Sequence, residues 1–119
     1  MIDLETYNAT CAGLPGTHYV MQWGGSHVWK VGEKVFALAR EGDDGAMLVS
    51  FKVSDMTWEV FRDAEGVRPA PYLASRGLKW LQRTDDTAMD DETLIGLIAD
   101  SHRMAAANLS RKKRAELGL

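Results

Sequence analysis

The sequence predicts an α+β domain: a two-layer antiparallel sheet with helices on one face, in the order αββββαβα. Three observations predict it. Four short β-rich runs, "HYVMQW", "SHVWKV", "KVFALAR" and "AMLVSFKV", follow one another between tight, glycine-bearing turns; that is the pattern of an antiparallel meander. The strands are mostly sequential and the helical patterns lie outside the meander, which favours α+β over alternating βαβ units. At 119 residues, with 45% hydrophobic and 26% charged residues, the chain can bury one core without staples and has the composition of a soluble globular protein. One domain therefore spans residues 1–119, with a basic tail over about 110–119.

The elements follow in order. Ile2 to about Ala12 reads as a helix, with Asp3 and Glu5 suited to the dipole of its first turn. Ile2, either Tyr7 or Thr6, and Cys11 fall roughly on one face, and Gly13 and Pro15-Gly16 stop the helix. In the meander, Gly32-Glu33 fits a two-residue II′ hairpin, which wants glycine at its first central position. Ser54 is the N-cap of a second helix to about Ala64, with Met56, Val60 and either Trp58 or Phe61 as its buried stripe. The segment "VRPAPYLASRG" is a loop, and "LKWLQRT" is a fifth strand. A long helix runs from about Asp90 to Leu109, with Leu94, Ile98, Ser101 and Ala105 on one face and Ile95, His102 and Leu109 beside it. "SRKKRAELGL" is a frayed end.

The composition excludes several function classes. Cys11 is the single cysteine, so no intramolecular disulfide framework exists, which fits a reducing compartment. The acid-bearing N-terminus does not read as a signal peptide, and no apolar run approaches membrane-spanning length. A cytoplasmic location is the expectation. His18, His27 and His102 lack metal-ligand spacing, so neither metal nor cofactor is expected. "GGSHV" lacks the strand–elbow–helix context of a nucleophilic serine, and no catalytic constellation is visible. The side chains from which a small pocket would be built are Tyr72, Trp80 and the hairpin tryptophans.

Charge is distributed unevenly. The formal net charge is −3, yet Gly66–Thr84 carries Arg68, Arg76, Lys79 and Arg83 without an acid. Residues 111–119 add Arg111, Lys112, Lys113 and Arg114 against Glu116. Local potential steers association more than net charge does. These two patches are therefore the candidate surfaces for a phosphate backbone.

The blocks "LPGTHYVMQWGGSHVWKVGEKVFALA", "GVRPAPYL", the isolated Trp80 and "DDETLIGLIADSHRMAAANLSRKKR" together resemble the MmcQ/YjbR family over Leu14 to Arg114. The resemblance implies a CyaY-like fold. It also implies DNA binding, since members are described as DNA-binding proteins with a double-wing motif. Three positions depart from the family pattern: His102 replaces a tyrosine, Glu33 a glycine and Trp29 a phenylalanine.

Each candidate residue has two readings. Pro69 and Pro71 stiffen a loop that can present Arg68 as a fork for phosphate and Tyr72 as a stacking platform. Alternatively, Arg68 salt-bridges an acid of the fold and Tyr72 fills the edge of the core. Strand alternation places Lys79, Leu81 and Arg83 on one face and Leu78, Trp80 and Gln82 on the other. Lys79 and Arg83 then either extend the Arg68 and Arg76 patch or stand solvated. The cluster Arg111–Arg114 either approaches phosphates or serves the last turn of a helix. The expected partner is DNA, bound weakly and with low sequence dependence, because no helix rich in Arg, Asn and Gln is available to read bases. The other expectation is a protein or small-ligand partner with no nucleic-acid role.

Overall fold

A computed structural model describes residues 1–119. Helix α1 (Leu4–Ala12) starts where Asp3 accepts the Thr6 N–H at 2.8 Å, and turns Tyr7 and Cys11 inward. The meander follows as β1 (Thr17–Gln22), β2 (Ser26–Val31), β3 (Lys34–Glu41) and β4 (Met47–Lys52). Gly32 takes φ +58° in the β2–β3 turn, a left-handed conformation that costs glycine nothing. After α2 (Asp55–Phe61) come β5 (Val67–Pro69), a 3-10 turn at Ala74–Arg76 and β6 (Trp80–Arg83). The chain closes with α3 (Asp91–Ala107) and α4 (Arg111–Glu116).

All six strands form one antiparallel sheet in the order β1-β2-β3-β4-β6-β5. The register shifts between Trp29 and Lys30, so Phe36 stands as an extra residue on β3 and both Phe36 and Ala37 are buried. The core lies between the sheet and α1, α2 and α3. It contains Phe51, Leu81, Leu94 and Ile98, with Trp58 and Phe61 packed against it. Ser101 fastens α3 to the sheet, since its hydroxyl donates to the Phe36 carbonyl at 2.6 Å and accepts the Lys52 N–H at 2.9 Å.

The α+β class and the side on which the helices lie agree with the sequence. Three details differ. The loop expected after Gly66 contains β5, because Val67 can bury itself beside Arg83 on β6, and Pro69 is tolerated on an edge strand. The expected frayed end forms α4, because the Ser110 hydroxyl caps the Lys113 N–H at 3.0 Å and Leu117 packs against the core. The stripe expected on α2 is half met. Met56 and Val60 stay exposed, while Trp58, Phe61 and the following Ala64 face inward.

Candidate ligand cleft

The predicted basic stretch does not form one surface. Arg83 is fully buried, not exposed beside Lys79. Its Nη1 donates to the Met89 carbonyl at 3.0 Å, and its Nη2 lies 2.9 Å from Asp91 Oδ1. The alternation along β6 is as expected, but the face shared by Leu81 and Arg83 is the helix side, since Leu81 is core. Lys79 is exposed, and its Nζ is paired with Asp55 at 2.8 Å. Arg68 pairs with an amide rather than an acid, donating from Nε to Gln82 Oε1 at 2.8 Å, and Tyr72 is exposed rather than packed at the core edge. On α4, Arg111 and Lys112 are exposed, Lys113 lies 3.8 Å from Glu116, and Arg114 is half-buried. Leu117 brings α4 close to Gly16 and Gly32. Gly32 follows the end of β2 opposite Ser26, roughly 17 Å along the strand at 3.3 Å per residue. The C-terminal cations therefore stand away from Arg76.

Arg76 and Tyr72 instead belong to a cleft on the sheet face that the helices leave open. Register aligns Leu38 on β3, Ser50 on β4 and Gln82 on β6 as direct neighbours across its floor. Arg40, two residues beyond Leu38, points to the same face. Ser26 and Trp23 approach from the β1–β2 side, and Pro71, Tyr72, Leu73 and Arg76 from the β5–β6 loop. The cavity encloses about 430 Å³. No Asp, Glu or His lines it, and neither Arg40 nor Arg76 makes an ion pair within the protein.

Local backbone geometry presents the two aromatics. Trp23 (φ +50°) and Tyr72 (φ +68°) are the only non-glycine residues with positive φ, and both remain largely exposed. The Ser26 hydroxyl donates to the Trp23 carbonyl at 3.3 Å. The Ser75 hydroxyl donates to the Tyr72 carbonyl at 2.7 Å, and Gly77 at φ +80° closes the 3-10 turn. Trp29 and Trp80 are buried outside the cleft lining, so of the aromatics expected around a pocket only Tyr72 and one hairpin tryptophan take part. Arg40 was not a sequence candidate. It sits in a strand beside Glu41, and only the register brings it near Gln82.

The remaining reactive groups are arranged for packing. Burial pushes the Cys11 thiol up to about 12, with the neighbouring Tyr7 hydroxyl acting in the opposite direction, so Cys11 is a thiol rather than a nucleophile near neutrality. Burial also raises the Tyr7 phenol, which donates to the His27 carbonyl at 2.8 Å. For Asp91, burial acts upward, but the Arg83 guanidinium, the N-terminal amine and the Ile2 N–H outweigh it and hold the carboxyl below its usual value. Hydrogen bonds from Thr6, Thr87 and Thr93 lower Asp3, Asp85 and Asp90 in the same direction. No three His, Cys, Asp or Glu side chains converge as metal ligands. No helix is long and apolar enough to cross a membrane.

No curated protein matches the chain. Among solved structures, the fold is similar to that of a Deinococcus radiodurans protein with a DUF419 domain. The TM-score is 0.85 at 24% identity, over 100% of this chain and 90% of that one. It is also similar to that of a Pseudomonas syringae protein, with a TM-score of 0.68 at 17% identity, over 87% of this chain and 99% of that one. At these identities the likeness concerns the fold alone. The sequence model of the YjbR family matches residues 12–104, from the end of α1 through most of α3 and across the whole cleft lining, so the chain belongs to the YjbR family.

Proposed function

We propose that this domain is a non-catalytic binding module that holds nucleic acid in single-stranded form, in the cleft on the open sheet face. One observation carries the reading. The two non-glycine residues with left-handed backbone are both exposed aromatics, and both line a cleft that also holds two unpaired arginines and no acid. Strained backbone is retained where the surroundings require it, and ligand sites are one such place. Exposed aromatic faces stack on bases, and guanidinium forks bind phosphate. A duplex hides its base faces and offers phosphates and groove edges, whereas an unpaired strand offers base faces together with phosphates. A cleft with two unpaired arginines, on a protein of net charge −3, is poorly equipped for duplex binding by charge alone. The cavity volume of about 430 Å³ also suits a small planar anion, the second reading.

The test is a titration of short labelled single strands and duplexes at low salt, followed by fluorescence anisotropy. Single strands bind more tightly than duplex of the same sequence. Trp23→Ala and Tyr72→Ala each cost about 1–3 kcal/mol of binding. Arg40→Ala with Arg76→Ala lowers the log–log salt slope by about 1.4, at roughly 0.7 per phosphate on single strands. Undetectable binding at about 100 μM protein, beyond the usual non-specific range, refutes the reading. So does duplex binding that the aromatic variants leave unchanged.

A further inference from the structure

Gln82 is 4% exposed, sits on β6 between β4 and the edge strand β5, and lines the cleft floor. Its one side-chain hydrogen bond uses its oxygen, which accepts from Arg68 Nε at 2.8 Å. A guanidinium can only donate, so this contact fixes which end of the amide faces Arg68. The NH₂ is the free end, and no acceptor side chain of the protein takes it. Its register neighbour Ser50 is also buried, at 1% exposed. Apart from the hydroxyls of Ser26, Ser50 and Tyr72, which turn either way, every polar side-chain group left free in the cleft is a donor.

We infer that Gln82 contacts the bound base directly, and that Arg68, by holding its amide in one orientation, makes the cleft select a base carbonyl over an amino group at the same edge. The inference rests on the reading of the cleft as a nucleotide site. Arg40 and Arg76 are exposed and charged, so they take the phosphate near the mouth. The uncharged base goes to the floor formed by Leu38, Leu73 and Gln82, where burying a phosphate would be far more costly. A carbonyl oxygen accepts the amide NH₂, whereas an exocyclic amino group opposes donor with donor. Arg68 is thus a positioning residue and Gln82 a specificity-determining one.

The experiment compares ligands that exchange one exocyclic carbonyl for one amino group, with the adjacent ring nitrogen passing from donor to acceptor, on the same ring system and charge. The pairs are uridine and cytidine monophosphate, inosine and adenosine monophosphate, and short oligomers of uridine and of cytidine. Affinities are measured for the wild type, Arg68→Ala and Gln82→Met. The wild type favours the carbonyl member by roughly 2- to 10-fold, the worth of one hydrogen bond. In Arg68→Ala the amide turns freely, so the ratio falls to near one because affinity for the amino member rises. A purely structural role for Arg68 would weaken both members alike. Gln82→Met abolishes the ratio as well, and if that buried change impairs folding, the exposed Arg68 variant still decides. Discrimination among monophosphates identifies the free nucleotide as sufficient, and discrimination among oligomers alone identifies the strand. A wild-type ratio near one with measurable binding overturns the inference and leaves the cleft reading intact. A ratio unchanged in Arg68→Ala does the same, and absence of all binding removes both.

Discussion

Arg83 has its guanidinium fully buried between β6 and the start of α3, and its partner Asp91 also accepts the Ile2 N–H at 3.0 Å. A buried charge is tolerated only while it is matched, so the two partners are not equivalent to remove. Arg83→Met takes the charge out of the core and leaves Asp91 half-exposed, where water can solvate it. Asp91→Asn leaves the guanidinium buried with a neutral neighbour. The expected order in urea unfolding is a loss of about 1.5–3 kcal/mol for Asp91→Asn, the worth of a charged hydrogen bond, and a smaller loss for Arg83→Met. Equal losses, or the reverse order, would show that the ion pair does not hold this corner. The period of the strand was legible in the sequence because alternation is a local rule. The direction of Arg83 was not, because its acid partner lies in the next element and an arginine on a strand reads as solvated.

The elements divide in the same way. Helix α3 was legible in position and face: Asp90 caps it by accepting the Thr93 N–H at 2.8 Å, and Leu94, Ile98, Ser101 and Ala105 are buried at helical spacing. Leu94→Ala and Ile98→Ala are each expected to cost roughly 2–5 kcal/mol, since both side chains are fully buried in the core. Chemical denaturation measures the loss, and values under about half a kcal/mol would mean that the helix is not packed by this face. Strand β5 and the 3-10 turn were not legible, because a three-residue strand has no period to read and depends on pairing with β6. Helix α2 shows the limit of the stripe argument. At seven residues it satisfies either face, and the position of β6 decides that Trp58 and Phe61 turn inward while Met56 does not.

Over the whole molecule, the helices cover one face of a six-stranded sheet and leave the other to a single loop. That asymmetry creates the cleft. Its composition was only partly legible: Tyr72 and Arg76 come from a stretch whose charge stands out, whereas Arg40, Ser50 and Gln82 are ordinary strand residues until the register aligns them. The same arrangement takes Lys79, Arg83 and Lys113 into pairs with Asp55, Asp91 and Glu116, so the sequence's basic candidates do not act as one surface.

The left-handed backbone at Trp23 and Tyr72 also sets fold stability against binding. A side chain held at positive φ costs about 1 kcal/mol or more, and glycine relieves that strain at a smaller entropic cost. Tyr72 is 85% exposed and gives little packing in return. Tyr72→Gly is therefore expected to raise the thermal midpoint while weakening ligand binding, and Trp23→Gly to do the same to a lesser degree, because its side chain is less exposed. Calorimetry on the unliganded protein reads the first effect, and a fall in midpoint would show that the phenol ring supports the loop. Selection for robustness alone would drive both positions toward glycine, so aromatic side chains there mark a domain that trades part of its thermal margin for a grip on its ligand.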